Sequence, residues 1–213
     1  MGMNYILMGD IIKSSGANSG KALMLTFQTL IRKINHEQQR SFFSPMTITL
    51  GDEFQSVVTN LESGIQTIIA IEEELLALEK PFRMRYVLNY GEIDTPINSK
   101  IAYEMVGSGL TNAREMLTQL KHYSGRMFFC NLKNPGETDY LNHLFLVYQY
   151  FYDRWKPKDS LMVKTFLEVQ DYKKVAIKLS RNTSLIWRRE KSLCIPEYLS
   201  LKHLLLSFSI LIK

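Results

Sequence analysis

Two aspartates, Asp10 and Asp52, are the residues whose type and position most directly indicate chemistry. Asp10 follows the apolar run Asn4–Met8, and Asp52 lies between two further apolar runs, Met46–Leu50 and Phe54–Val58. If the first and third runs are neighbouring antiparallel strands, the end of one lies beside the start of the other and the two carboxylates meet. Carboxylates in one place repel unless a cation lies between them, which favours a Mg²⁺ or Mn²⁺ site on Asp10 and Asp52. The alternative is that each aspartate only forms a turn with nearby backbone.

A polar segment follows Asp10 and leads toward the first predicted helix. Free N–H groups near a helix start can bind phosphate, so Ile11, Ile12, Lys13 and Ser14 are candidates for nucleotide contact. A serine-rich turn without any ligand explains the same residues.

The last third of the chain is much more basic than the rest. Residues 151–213 hold 13 Lys and Arg against six Asp and Glu, whereas the remainder of the chain is slightly acidic. Such asymmetry indicates that one part of a protein meets a polyanion. A solvated basic face is the alternative.

Within this basic part, Tyr172–Leu179 and Thr183–Lys191 have the spacing of two helices joined by a short turn, which predicts a helix-turn-helix. The positions where such helices pack together are small or apolar: Val175, Ala176, Leu179 and Ile186. The side chains predicted to face outward, and so to contact duplex DNA in a major groove, are Thr183, Ser184, Trp187, Arg188 and Lys191. The alternatives are a helical hairpin with a basic outer face and, for Trp187, a place in the core.

Hydrophobic periodicity predicts the elements that position these residues. Apolar residues at helical spacing indicate helices at Ala22–Ile34 and Ile65–Leu78, and alternation at Phe82–Tyr90 indicates a half-buried strand. The Gly-Asp-Glu turn before Phe54 indicates a hairpin. The resulting order, β-α-β-β-α-β, is the ferredoxin-like arrangement. In that arrangement the strand before Asp10 and the strand after Asp52 are the central antiparallel pair.

The remaining predicted elements are a helix at Leu110–Leu120, a strand at Arg126–Cys130, a turn-rich boundary at Asn131–Asp139, and helices at Tyr140–Trp155 and Leu161–Val169. We therefore predict the α+β class. A ferredoxin-like palm domain at residues 1–135 would be followed by a small all-helical domain at 136–213 that contains the helix-turn-helix.

Composition excludes several other classes. With 46% hydrophobic residues the chain is an ordinary globular sequence and not a disordered one. The two cysteines and four histidines show no metal-ligand spacing, and a reducing cytoplasmic location is expected. The opening Met1–Met8 segment does not fit a signal peptide, and the apolar tail Leu204–Ile212 is too short to cross a membrane. That tail is predicted to pack as a terminal helix, at a homodimer interface in one interpretation.

Several segments resemble known families. LGDEF (Leu50–Phe54) is similar to the hairpin of diguanylate cyclases. The segments that resemble class III nucleotidyl cyclases are, in order, GDI (Gly9–Ile11), TLGDEFQSVV (Thr49–Val58), RYVLNYGEI (Arg85–Ile93) and GLTNAREML (Gly109–Leu117). Together with the helical part, the arrangement resembles the SatD family of small bacterial proteins over nearly the whole chain.

The cyclase resemblance implies roles for particular residues. Asp10 and Asp52 match the two metal aspartates of that family. Asn112 and Arg114 lie near the Asn and Arg that serve the triphosphate and ribose, although they are two positions apart and the family's pair is four apart. The implied catalytic candidates are Asp10, Asp52 and Arg114, and the implied cofactors are Mg²⁺ or Mn²⁺ and a nucleotide.

The leading hypothesis is a cytoplasmic DNA-binding transcription regulator, acting as a homodimer, whose cyclase-like domain binds a nucleotide or a divalent metal. The alternative is a Mg²⁺-dependent nucleotidyl cyclase or nucleotidyltransferase, in which two metal ions would activate a ribose hydroxyl and stabilise pyrophosphate. A third hypothesis is a degenerate palm domain that serves only in protein interaction or dimerisation.

Overall fold

The computed structural model describes residues 2–12, 20–49, 51–78, 81–122 and 128–211. The strands among these residues are β1 (Gly2–Ile12), β2 (Phe42–Ile48), β3 (Glu53–Val58), β4 (Arg83–Ile93) and β5 (Phe128–Asn131). The helices are α1 (Gly20–Glu37), α2 (Leu61–Leu75), α3 (Ser108–Leu120), α4 (Pro135–Tyr152), α5 (Ser160–Val169), α6 (Tyr172–Lys178), α7 (Thr183–Ser192) and α8 (Ile195–Leu211). Single turns of 3₁₀ helix lie at Gln39–Ser41 and Pro157–Asp159.

The strands form one sheet in the order β2-β3-β1-β4-β5. β1 is antiparallel to both β3 and β4, and β2 is antiparallel to β3. The first four strands therefore have the predicted ferredoxin-like order, and the predicted central pair, β1 and β3, is confirmed. β5 extends the sheet parallel to β4.

The first strand is longer than the sequence predicts. The apolar run ends at Met8, which places Asp10 in a following turn, but β1 continues to Ile12. The reason is pairing on both sides: Asp10 lies opposite Arg85 of β4 and opposite Glu53 of β3. Asp10 is therefore a residue of a central strand.

Helices cover both faces of the sheet. Leu7 and Tyr86 belong to the core on the face of α1 and α2, whereas Met8 and Val87 pack with Leu117 of α3 on the other face. The prediction that β4 is half-buried is wrong, because α3 covers the face that the alternation left for solvent. This second layer brings the side chains of α3 over the middle of the sheet.

A close backbone approach holds α3 on β4. A Cβ atom added to Gly109, in the first turn of α3, would lie 2.5 Å from the carbonyl carbon of Gly91 on β4. Beside this contact, Asn89 donates its Nδ2 to the Gly109 carbonyl at 2.9 Å. The first turn of α3 is thereby fixed, and with it the positions of the later residues of the helix.

The C-terminal helices share one hydrophobic core with the sheet. The ring of Tyr86 on β4 stacks on Phe128 of β5, and Phe128 stacks on Phe145 of α4, with centroid distances of 5.3 and 5.2 Å. Tyr148 continues this chain of rings to Tyr198 of α8. The division into domains 1–135 and 136–213 concerns independent folding, and it stays a prediction.

Helix α2 lies between the sheet and the terminal helices. The Glu72 carboxylate accepts a hydrogen bond from the Tyr86 hydroxyl of β4 at 2.7 Å, and its carbonyl accepts one from the Tyr152 hydroxyl of α4. Glu73 accepts from Lys202 of α8 at 2.7 Å. Polar contacts on one short stretch of α2 therefore join the sheet to both α4 and α8.

Caps explain where two of the helices begin. The Asn60 side chain accepts from the Ser63 N–H at the start of α2. Asn134 does the same for the start of α4, so this helix begins within the segment Asn131–Asp139 that the sequence predicts to be a boundary loop.

The tail is helical as predicted, but α8 starts already at Ile195. In the described part of the chain, no helix combines the length and the apolar content needed to cross a membrane.

We expect Gly109→Ala to lower the free energy of unfolding by about 1–3 kcal/mol, the usual range for overpacking. The new methyl group would meet backbone atoms of β4, which have little freedom to move. Chemical denaturation measures the effect, and Gly20→Ala is the control because nothing lies within 4 Å of a Cβ atom there. Equal stability of the two variants would show that α3 is not held by this contact.

Candidate functional site

A row of three charged side chains crosses the three central strands near one end of the sheet, since Glu53 is the first residue of β3. The register places Asp10 of β1 between Glu53 of β3 and Arg85 of β4. Asp10 has the same strand parity as Ile6 and Met8, which pack against α3, so the row faces α3.

Helix α3 brings two cations to this row. Lys121, just after the last turn of α3, donates its Nζ to Glu53 Oε1 at 2.6 Å and lies 3.5 Å from Asp10 Oδ2. Arg114 donates its Nη1 to Glu53 Oε2 at 3.1 Å, and Arg85 donates its Nη1 to Asp10 Oδ2 at 3.0 Å. Two carboxylates are thus paired with three cations, and we call these five residues the charge cluster.

The acidic members of the charge cluster are buried and two of the basic members reach solvent. Asp10 is 3% exposed and Glu53 7%, whereas the Lys121 side chain is 40% exposed. Burial raises the pKa of the Asp10 carboxyl above its ordinary value, although the charges of Arg85 and Lys121 act to lower it. Burial lowers the pKa of the Lys121 amine, but the hydrogen bond to Glu53 and the two carboxylates outweigh this and raise it.

The charge cluster bears on the predicted metal site. Basic side chains pair with Asp10 Oδ2 and with both oxygens of Glu53, so the placement of these two residues does not fit a divalent cation between Asp10 and Glu53. No group of three or more His, Cys, Asp and Glu side chains in the described ranges could hold a metal ion. Asp10 Oδ1 is buried and has no hydrogen-bond partner among the described residues. The metal site on Asp10 and Asp52 stays a prediction.

An open cleft adjoins the charge cluster at Arg114. Its volume is about 590 Å³, which lies within the usual range of ligand pockets, about 300–1,000 Å³. The residues that line this α3 cleft are Thr49, Gln55, Tyr103, Glu104, Met105, Leu110, Thr111, Arg114 and Glu115. The cleft offers hydrogen-bonding side chains with a cation at one side, and it can therefore hold a polar ligand with an anionic end.

The backbone brings Asp52 next to Asp10, as the sequence predicts. The Asp52 carbonyl accepts from the N–H of Ile11 at 2.9 Å. The same bond engages the Ile11 N–H that is predicted to contact phosphate, and the Ile11 side chain is buried in the core of the opposite face. Ile12 is the last residue of β1, and the predicted contacts of Lys13 and Ser14 lie outside the described residues.

The two helix residues predicted to bind nucleotide, Asn112 and Arg114, have different surroundings, and their nucleotide contacts stay predictions. Two positions on a helix are separated by about 200° around its axis, so the side chains leave α3 in different directions. Arg114 lines the α3 cleft and pairs with Glu53. Asn112 is exposed. Of the two, Arg114 is the one at the charge cluster.

The local packing of α6 and α7 follows the predicted pattern. Val175, Ala176 and Ile186 are buried. Ser180 makes the turn with φ of 52°, in the left-handed region where glycine is common. The Asn182 side chain accepts from the first free N–H groups of α7 and caps it.

The outer face of α7 is exposed to solvent. The predicted DNA-contacting residues on it are Thr183, Ser184, Trp187, Arg188 and Lys191, and all are exposed. Trp187 is 43% exposed, so it is not a core residue, and the Lys191 ammonium lies 3.9 Å from its ring centroid. Arg189 instead pairs with Asp159 at 2.6 Å. A polar and basic surface with one aromatic side chain is the result.

Sequence reasoning did not identify Glu53, Arg85 or Lys121 as site residues. Glu53 directly follows Asp52 and directly precedes a predicted strand. Arg85 lies on the face of β4 opposite to the alternating apolar residues. Both are therefore charged residues in or beside predicted strands, which the sequence does indicate. Lys121 carried no such signal, because its contact depends on how α3 packs on the sheet.

Comparison with known proteins matches one family and several solved structures. The model of the SatD family matches residues 5–206, which confirms the resemblance inferred from the sequence. None of the curated proteins matches the chain.

Three similar solved structures are nucleotide cyclases. The guanylate cyclase domain of RhGC from Catenaria anguillulae, solved with GTP, is 17% identical over 55% of this chain and 72% of its own, with a TM-score of 0.41. The guanylyl cyclase Cya2 is 15% identical over 61% and 74%, with a TM-score of 0.41. A bacterial light-regulated adenylyl cyclase is 14% identical over 60% and 75%, with a TM-score of 0.42.

We expect the Asp10 carboxyl to titrate above the ordinary pH range of an aspartate, because burial raises its pKa. A raised pKa means that the folded state binds the proton more tightly, so Asp10 favours folding more as pH falls from above the folded pKa toward the unfolded value. Carboxyl ¹³C NMR measures the titration, and Asp10→Asn assigns the signal. Asp171 is the control, since hydrogen bonds from the Lys174 and Lys173 backbone lower its pKa. A lowered pKa of Asp10 would contradict the expected balance between burial and ion pairing.

Proposed function

We propose that this chain, which belongs to the SatD family, is a DNA-binding regulatory protein whose α3 cleft binds a nucleotide. The observation that carries the proposal is the outer face of α7, where polar, aromatic and basic side chains are exposed while the inner face packs on α6. The α3 cleft and the charge cluster support the nucleotide-binding part.

The outer face of α7 has the chemistry of a helix that enters a major groove. Thr183 and Ser184 at its N-terminal end are suited to hydrogen bonds with phosphates or base edges. Arg188 and Lys191, one and two turns further along, supply the positive charge that a phosphate backbone requires. Trp187 adds an apolar surface beside Lys191, whose ammonium lies over its ring. Arg189 has another role, since its ion pair with Asp159 ties α7 to the preceding helices.

The charges around the α3 cleft favour one orientation of a bound nucleotide. Arg114 lines the cleft, and Lys121 belongs to the adjoining charge cluster, where both side chains pair with Glu53. These two cations would attract phosphates. Glu104 and Glu115 line the cleft itself, and their carboxylates repel phosphate but accept hydrogen bonds from base N–H or ribose hydroxyl groups. We therefore place the phosphates at the charge cluster, and the base and ribose in the cleft.

Helix α2 provides the physical link between the two proposed sites. It packs on the sheet and is hydrogen-bonded through Glu72 to Tyr86 and Tyr152, and through Glu73 to Lys202. A shift of the sheet on nucleotide binding would reach α4 and α8, and α8 in turn contacts α5 and α7. In the proposed regulation, nucleotide binding changes the position of the DNA-binding helices through these contacts.

A homodimer is part of the proposal, because one short helix contacts few base pairs. The terminal helix buries Leu201, Leu205 and Phe208 in the chain's own core, and leaves Leu204 and Ile210 exposed, 48% and 64% respectively. Exposed apolar side chains of this kind suit a contact with a second copy of the chain.

We expect Arg188→Ala to weaken binding to every duplex sequence and to reduce the slope of log affinity against log salt by about one unit, as the loss of one phosphate contact does. A gel-shift or anisotropy series from low to moderate salt measures both quantities. Arg32→Ala on α1 is the control, since this exposed arginine lies outside the proposed interface.

Two other outcomes of the DNA-binding measurement would change the role given to α7. A loss of about 1–3 kcal/mol confined to one base position would instead make Arg188 a base-reading residue. No binding of the folded protein to DNA at low salt would remove the DNA-binding function.

We expect Arg114→Ala to weaken the binding of a nucleoside triphosphate by about tenfold or more, because a hydrogen bond to a charged group contributes about 1.5–3 kcal/mol. Calorimetry with each of the four triphosphates measures the affinity and identifies the base. Arg40→Ala is the control, since Arg40 is an exposed arginine outside the cleft.

Two results would contradict this nucleotide-binding role. Unchanged affinity in the Arg114→Ala protein would exclude the proposed position of the phosphates. Rapid release of pyrophosphate with Mg²⁺ or Mn²⁺, abolished by Asp10→Ala, would favour the nucleotidyl cyclase or nucleotidyltransferase. We expect no such release, because Arg85 pairs with Asp10 Oδ2, one of the oxygens that this chemistry would use, and because Asn112 and Arg114 are two positions apart rather than four.

A further inference from the structure

We infer that the Lys121 ammonium takes the place of a divalent cation between Asp10 and Glu53, so that phosphates bind at the charge cluster beside the α3 cleft without a metal ion. The phosphate part of this inference rests on the proposed function. The part that concerns metal exclusion rests on the charge cluster alone.

The position of Lys121 is that of a bridging cation. Asp10 and Glu53 are direct partners on neighbouring antiparallel strands, so their carboxylates lie side by side on the same face. Two adjacent buried carboxylates need a positive charge between them. Lys121 Nζ supplies it, at 2.6 Å from Glu53 Oε1 and 3.5 Å from Asp10 Oδ2.

The charge of the whole cluster disfavours a metal ion. Arg85, Arg114 and Lys121 outnumber the two carboxylates, which leaves an excess of one positive charge. A divalent ion would add two more in a place where Asp10 and Glu53 are almost fully buried, and burial strengthens repulsion between like charges. Within these five residues, the same excess favours an anion such as a phosphate group over a cation.

Lys121 is also free to be tested by substitution. It follows the last turn of α3 and its side chain is 40% exposed, so its removal leaves the buried packing of the helix intact. Without its ammonium, two oxygens become available ligands: the released Glu53 Oε1, and Asp10 Oδ1, which has no hydrogen-bond partner within the described ranges. Carboxylate oxygens of this kind are what Mn²⁺ and Mg²⁺ prefer.

The first experiment measures Mn²⁺ alone, by electron paramagnetic resonance and calorimetry, in the full chain. We expect no Mn²⁺ binding in the wild-type protein, binding in Lys121→Met and Lys121→Gln, and none in Lys121→Arg, which keeps the cation. Adding Asp10→Asn to Lys121→Met should abolish the new binding, whereas Lys100→Met, at an exposed lysine elsewhere, should not create any. Wild-type binding that Asp10→Asn removes, or the absence of binding in both the Met and the Gln variant, would overturn the inference.

The second experiment measures nucleoside triphosphate affinity in EDTA and in Mg²⁺. Wild-type affinity should be the same in both within about twofold, whereas Lys121→Met should bind about tenfold more weakly in EDTA and recover in Mg²⁺. A wild-type requirement for Mg²⁺ would overturn the inference. If no triphosphate binds under either condition, the proposed nucleotide function fails, while the Mn²⁺ result still decides whether Lys121 excludes the metal.

Discussion

The Asp10 carboxylate is buried in a central strand, so the surrounding structure must supply positive charge to it. A buried charge is tolerated only when it is paired, and Arg85 on the neighbouring strand pairs with it. Glu53 on the other neighbouring strand adds a second buried carboxylate, so further cations must come from outside the sheet. Helix α3 supplies Arg114 and Lys121. The glycine contact between β4 and α3 allows the helix to lie close enough for both side chains to reach.

Helix α2 lies on the face of the sheet opposite to α3. It has apolar contacts with the sheet, and its Glu72 and Glu73 accept hydrogen bonds from side chains of β4, α4 and α8. The charge cluster faces α3, on the opposite side of the sheet from α2, and the core on the α2 side joins the sheet to the C-terminal helices.

Residue patterns were sufficient to predict the strand order and most helices, and insufficient for the charge cluster. The alternation in β4 and the helical spacing in α1 are local properties, so they can be read from short segments. The meeting of Asp10 with Arg85 depends on strand register, and a shift of one residue would move Arg85 to the other face. Lys121 depends on the packing of α3 on β4. The sequence predicts too short a first strand, because a charged residue such as Asp10 usually marks the point where an apolar strand ends.

The chain of stacked rings has a consequence for how this protein can diversify. Phe128 belongs to the sheet, and Phe145 and Tyr148 belong to α4, yet each ring is buried by the others. A recombination event that exchanged the C-terminal helices as a cassette would bring together rings that had not been selected to fit. New surfaces on α7 are therefore expected to arise by substitutions at its solvent-facing positions, among relatives that keep the aromatic interior unchanged.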